Sequence, residues 1–185
     1  MITDFQTHAF PDAVADRAIR ILEARTDEPK AHLDGRLSSL LVSMDRAGID
    51  RCVVASIATR PEQFGAILAW SERIRSPRVV PFPSFHPRDP QAEQKIATIH
   101  ARGFVGIKLH PYYQDFVLDA EAMGPLYERI ARLGLMLLCH LFGTDSPWQD
   151  QAGALARLGA LKLGDGLERA MLVENPARLL DQQGQ

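Results

Sequence analysis

The chain has 185 residues, 46% hydrophobic and 24% charged, with a formal net charge of −2, the ordinary balance of one globular domain. It carries no basic footprint for nucleic acid, no field to funnel acidic substrates, and no apolar run near the ~20 residues that a membrane span needs. Cys52 and Cys139 lie far apart, each inside an apolar run, and read as free thiols of a reducing compartment; with no secretory leader pattern at the start, we expect a soluble, cytoplasmic protein.

In chain order, a short apolar strand over residues 2–5 leads to Gln6 and His8, which sit two apart and so aim to one side. Pro11 and Asp12 open a helix with Val14, Ala18, Ile21 and Leu22 near helical spacing. A second helix runs from about Leu37 to Ala47 and stops at Gly48, before the strand RCVVASIA. Then come a helix from Pro61 to about Ile74, the strand RVVPFPSF, a helix from about Pro90 to Ala101, and the strand FVGIKLH. A helix from about Ala120 to Arg132 precedes the strand LMLLCHLFG, and two helices, through Gln151–Leu161 and Asn175–Leu180, close the series. Strands alternating with helices predict a parallel sheet, whose strands, buried on both faces, read as continuous apolar runs. Gly48, Gly103 and Gly134 each stand past a helix and before a strand. His-Pro recurs at His86-Pro87 and His110-Pro111, both times where a strand gives way to a loop.

Five segments, DFQTHAFPD, GFVGIKLHP, LLCH, FGTDSPW and ENPARLL, resemble the metal-dependent amidohydrolase-related superfamily. Its first strand reads Asp-Phe-His-x-His and gives two imidazoles to a metal; here Gln6 stands at the first and His8 at the second. The resemblance implies that LLCH is strand five, ending in the metal ligand His140. It likewise implies that FGTDSP is strand eight, ending in Asp145, which touches the metal and activates water. In this chain the two are contiguous. An eight-stranded β/α barrel takes ~250 residues and rarely fewer than ~200, and we count five clear strands and at most one more. We therefore expect an α/β fold: an incomplete (β/α) TIM-barrel-like domain with a mostly parallel sheet of about six strands. It forms a single domain over residues 1–185 that lacks the segment between family strands five and eight, with the junction near 140–142.

The junction leaves two geometries open. His140 and Asp145 are five residues apart, about 16 Å in an extended strand, too far to share a zinc with bonds of ~2.0–2.2 Å. Either a turn at Gly143 brings them together, or LMLLCHLFG is one merged strand with Asp145 at the barrel mouth and His140 partway down.

Each site residue has a bland alternative. His8 is a ligand-derived position or a capping or core histidine. Asp145 is a metal ligand and base or the N-cap of a helix with Pro147 in its first turn. Lys108 and His110 alternate on one strand and face the same side; Lys108 steadies a substrate carboxylate or snorkels. His86 and His110 line a substrate pocket at the strand ends or merely terminate strands before proline. Cys139 faces away from His140, which disfavours a cysteine–histidine pair, and His32 and His100 read as surface helix residues.

Two hypotheses of different class follow. In the first the chain is a metal-dependent hydrolase, or a decarboxylase of the same superfamily, with His8, His140 and Asp145 on a divalent metal, zinc foremost. Asp145 then moves the proton of bound water, and Lys108, His110 and His86 bind a small-molecule substrate. In the second it is a truncated, metal-free relative acting as a binding or assembly module. Strand edges left by missing units predict a homo-oligomer in either case.

Overall fold

A computed structural model of the chain describes residues 1–24, 30–139, 146–148, 150–160, 166 and 169–181. It contains β1 (Thr3–Thr7), α1 (Asp12–Glu23), α2 (Leu37–Ala47), β2 (Arg51–Ala55), α3 (Phe64–Ile74), β3 (Val79–Phe82) and α4 (Ala92–Ala101). These are followed by β4 (Gly106–Lys108), α5 (Pro111–Gln114), α6 (Gly124–Arg132), β5 (Met136–Leu138), α7 (Gln151–Ala160) and α8 (Asn175–Asp181). One-turn 3₁₀ segments at Pro61–Gln63 and Glu121–Met123 lead into α3 and α6. The architecture is the expected α/β alternation, with parallel strands in two small sheets, ordered β1-β2-β3 and β4-β5. Five strands fall among the described residues; the expected junction near 140–142 lies outside them. No described helix is long and apolar enough to cross a membrane.

Three helices end the same way. At the end of α2, Gly48 takes φ 69°, the Ile49 N–H reaches back to the Met44 carbonyl at 2.9 Å and the Gly48 N–H to that of Asp45 at 3.4 Å. This is the paired 6→1 and 5→2 closure that a left-handed glycine permits, with Ile49 and Met44 both buried beneath it. Gly103 after α4 and Gly134 after α6 repeat it, through Phe104 to Ile99 and Leu135 to Ile130. Each closure turns the chain from a helix directly towards the next strand.

The chain divides into two compact units. The first comprises Met1–Val54, Pro77–Val80 and Phe142–Gln185. In it β1 pairs in parallel with β2, Thr3 opposite Arg51, Asp4 opposite Cys52 and Thr7 opposite Val54. Between Asp4 and Thr7, β1 advances three residues while β2 advances two, so Phe5 and Gln6 span a one-residue bulge of the kind that re-aims side chains at strand ends. Ser146 forms a parallel bridge with Thr7. The core of this unit is built from Ala15, Ile19, Leu40, Met44, Cys52, Val53 and Val54, and α2 packs on α7 while α8 packs on β1.

The second unit comprises Ala55–Ser76 and Pro81–Leu141. Here β4 and β5 run parallel, with Gly106, Ile107 and Lys108 opposite Met136, Leu137 and Leu138. The ladder continues past its C-terminal end, where the Leu109 N–H donates to the Leu138 carbonyl, and on the other side of β4 the Lys108 N–H donates to the Pro83 carbonyl, each at 2.9 Å. The second bond ties β4 to the segment that follows β3. Phe85, Ile96, Ile99, Ile107 and Leu109 are fully buried in one apolar cluster with Leu68, Phe104, Leu126 and Ile130. Gly106 is required by close approach: a Cβ there would stand 2.3 Å from the Phe82 ring.

Candidate active site

Buried polar groups line β1. The Asp4 carboxylate, 5% exposed, accepts from Nε2 of the fully buried Gln151, the first residue of α7, at 2.8 Å. An anion beside the first turn of a helix is favourable, because the unpaired N–H groups there carry partial positive charge. The Thr7 hydroxyl donates to the Val53 carbonyl at 2.8 Å. Burial, then the negative Asp4, pushes the Cys52 thiol up to about 12, so this cysteine is an inert apolar filler. Gln6, 1% exposed, lies within the bulge, and half-buried His8 follows Thr7, its N–H donating to the Ser146 carbonyl at 2.6 Å.

His140 and Asp145 lie outside the described residues, so of the expected metal ligands only His8 is described. Ser146, which follows Asp145 directly in the sequence, nevertheless hydrogen-bonds the His8 backbone. By chemistry, the imidazoles of His8 and His140 and the carboxylate of Asp145 are a donor set that suits a divalent metal. Gln6 offers only a neutral amide where an imidazole binds zinc better. Among the described residues no three His, Cys, Asp or Glu side chains cluster.

In the second unit the strand ends are locked by a residue that sequence reading passed over. Gln114, the last residue of α5, is fully buried. Its Nε2 donates to the carbonyls of Ala58 after β2 (2.9 Å) and Phe85 after β3 (2.8 Å), and lies 3.4 Å from the Ser84 hydroxyl. Its Oε1 accepts the His110 N–H after β4 at 2.7 Å. One carboxamide thus joins the ends of three successive strands and ties the residue before His86 to His110. The local signal was His110-Pro111: His110 is the N-cap of α5, with Pro111 in the first turn, where its missing N–H costs nothing.

Both His-Pro histidines occupy matching settings. Nδ1 of His86 accepts the Arg88 N–H at 3.2 Å, and Nδ1 of His110 accepts the Tyr113 N–H at 3.3 Å. His86 is 9% exposed. Burial first, then the positive Arg88, lowers its pKa below the usual histidine value, while Asp89, Asp115 and Glu62 oppose the shift. Arg88 is turned outward, its guanidinium bonded to the carbonyl and carboxylate of Asp115. Beside it, Asp89 pairs with Lys95, both largely buried. Burial works to raise the Asp89 pKa, and the Lys95 and Gln91 hydrogen bonds outweigh it and hold the carboxylate below its ordinary range. Lys95 also caps the Pro61 carbonyl at 3.2 Å and stands over the Phe64 ring.

Lys108 does not snorkel. It is fully buried, and its Nζ donates to the Cys139 carbonyl at 2.8 Å. Burial raises the half-buried Cys139 thiol, and the charge on Lys108 opposes that shift. His100 is an exposed residue of α4 as expected, whereas His32 lies in the loop before α2 and not on a helix, its N–H held by the Pro147 carbonyl at 2.8 Å.

The amidohydrolase family model matches residues 3–140. Among solved structures, the chain is similar to the apo form of IDCase from Metarhizium anisopliae, at 18% identity and a TM-score of 0.54, over 98% of this chain and 62% of that one. It is similar to the uncharacterized TIM-barrel protein Bb4693 from Bordetella bronchiseptica, at 14% identity and a TM-score of 0.71, over 100% of this chain and 99% of that one. It also aligns with 2,6-dihydroxybenzoate decarboxylase from Rhizobium, at 18% identity and a TM-score of 0.49, over 91% of this chain and 64% of that one. It thus spans under two thirds of the length of IDCase and of the Rhizobium enzyme. At these identities the likeness is one of fold, a TIM-barrel-like α/β architecture. No curated protein matches the chain.

Proposed function

We propose that this chain, which belongs to the amidohydrolase family, is a metal-dependent hydrolase domain, or a decarboxylase of the same superfamily, whose metal affinity is reduced by Gln6. His8, His140 and Asp145 are the residues that hold a divalent metal, zinc foremost, and three protein ligands with an open position are a sufficient catalytic set. When bound, the metal supplies an acidified water at neutral pH. The chain's own contribution is Asp145 as the group that accepts the proton, with Lys108, His86 and His110 binding a small-molecule substrate. The observation that carries the reading is the bond from the His8 N–H to the Ser146 carbonyl. It brings the sequence next to Asp145 alongside the end of the strand that bears His8.

A second reading, that of a truncated, metal-free relative serving as a binding or assembly module, is favoured by one observation: the position of the family's first imidazole holds a buried neutral amide, Gln6. Either reading includes a homo-oligomer formed at strand edges, and two free thiols support a cytoplasmic setting. The test is metal content of the purified protein by plasma mass spectrometry, alongside hydrolysis and decarboxylation screens with added zinc or manganese. Metal near one equivalent after reconstitution, lost in Asp145→Asn, supports the enzyme. A chain that stays metal-free at saturating zinc supports the module.

A further inference from the structure

We propose that a groove formed by α2, the loop before it and the start of α7 binds a small phosphorylated polyol, with Arg46, Ser38, Ser43 and His32 holding the phosphate and Asp150 a hydroxyl. The groove measures about 470 Å³, the size of a small-molecule site, and lies wholly within the first unit. It shares no residue with the metal and substrate sets proposed above, so the inference goes beyond the hydrolase reading and stands without it.

The sequence of α2 builds one wall. Leu40 and Met44, four apart, are buried in the core of the unit. The other side of the helix is left to Ser38, Ser39, Val42, Ser43 and Arg46, spaced by three and four, and all five line the groove. The remaining wall comes from His32 and Leu33 in the loop before α2 and from Asp150 and Ala152 at the start of α7. Backbone bonds fix it: the His32 N–H is held by the Pro147 carbonyl at 2.8 Å, and the Asp150 carboxylate caps α7 by accepting the Gly153 N–H at 2.7 Å.

The polar groups of the groove are open to a ligand. Among the described residues, the side chains of His32, Ser38, Ser43 and Arg46 make no hydrogen bond or ion pair. Asp45, next to Arg46 in sequence, is taken by Arg78 at 2.7 Å, and Asp34 by Arg36 at 2.8 Å. A guanidinium fork with two hydroxyls and an imidazole offers more donors than the two oxygens of a carboxylate use, and it suits the three oxygens and higher charge of a phosphate monoester. Asp150 is the one carboxylate in the lining, and the partial positive charge of the first turn of α7 offsets it. Its Oδ2 is spent on Gly153, which leaves Oδ1 to accept a ligand hydroxyl. Leu33, Val42 and Ala152 give apolar contact to a carbon skeleton, contact that inorganic phosphate does not use.

The test is isothermal titration of the full chain, without added metal, with glycerol 3-phosphate as the probe and inorganic phosphate, glycerate and glycerol as comparators. Glycerol 3-phosphate should bind saturably at one site, tighter than inorganic phosphate or glycerate by about tenfold or more, and glycerol should not bind. Arg46 is exposed, so its replacement leaves the core untouched, and Arg46→Gln should weaken binding by about tenfold or more. Ser43→Ala should weaken it by about threefold. Arg73→Gln, which removes an exposed arginine of α3 outside the groove, should bind as the wild type does. Absence of saturable binding, inorganic phosphate or glycerate binding as tightly as glycerol 3-phosphate, or an equal loss in Arg46→Gln and Arg73→Gln overturns the proposal.

Discussion

Ser146 pairs with Thr7 as a parallel neighbour, and its carbonyl takes the His8 N–H at 2.6 Å. On its other side Thr7 pairs with Val54 of β2. The end of β1 is therefore an interior ladder position, and the residue beyond it is fixed by backbone bonds before any ligand arrives. Catalytic geometry gains from such support, because groups held by a rigid scaffold need no reorganisation.

That geometry sets the expectation for metal. Isothermal titration of the wild-type chain with zinc should give weak binding, and Gln6→His should raise the affinity by at least about tenfold by restoring a second imidazole. Tight binding before the substitution, or no gain after it, would sink the idea that position 6 limits the site.

Gln114→Leu keeps the volume but strips four polar partners of their bond at once. Each buried group left unmatched costs about 1–3 kcal/mol, and relaxation will recover part of that. Urea denaturation should show a loss of about 2–4 kcal/mol, and Gln114→Glu, which sets a buried carboxylate against the Ala58 and Phe85 carbonyls, should lose at least as much.

Two glycines should respond in opposite directions to alanine. Gly106→Ala drives a Cβ into the Phe82 ring and should destabilise by about 1–3 kcal/mol, as overpacking does. At Gly65, in α3, nothing lies within 4 Å of the place an alanine methyl would take; Gly65→Ala should stabilise by about 0.5–1 kcal/mol by reducing the freedom of the unfolded chain. Thermal melts of the pair test both, and a loss in Gly65→Ala would contradict the second.

Stability should fall at high pH, and Cys52 is the cause to test. Its folded pKa of about 12 lies above the unfolded value, so from about pH 9 the unfolded chain releases its proton first while the folded chain retains it. The stability present below the unfolded pKa is then lost by about 1.4 kcal/mol per pH unit until the folded thiol ionises. Denaturation between pH 8 and 11 should show the slope, and Cys52→Ala should flatten it. Thiol labelling at pH 8 should modify Cys139 well before Cys52.

Where sequence could be read and where it could not follow from the range of the interactions. The end of α2 at Gly48 was legible because a left-handed glycine after a helix is a local necessity, and Gly103 and Gly134 followed by the same logic. The strands came out shorter than their apolar runs: RVVPFPSF yields only Val79–Phe82, since Pro83 has no N–H to lend to a ladder. Lys108 and His86 were singled out as strand-end residues, yet the burial of Lys108 and the bond from the Arg88 N–H to His86 depend on partners that no pattern announces. Gln114 was invisible for the same reason. It bonds Ala58 across 56 residues, and nothing in YYQD marks a glutamine that joins three strands. The bulge in β1 also left no mark, because DFQT alternates no differently from a regular strand.

That bulge bears on how easily the chain could change its chemistry. Glutamine and histidine codons differ only at the third base, so position 6 stands a single nucleotide from an imidazole. The extra residue in β1 belongs to the backbone register with β2, not to the side chain at position 6, and a histidine variant would inherit it unaltered. A variant with histidine there would thus find its strand already shaped, and a one-base substitution, with no insertion or rearrangement, is the whole mutational distance to a second imidazole at this strand end.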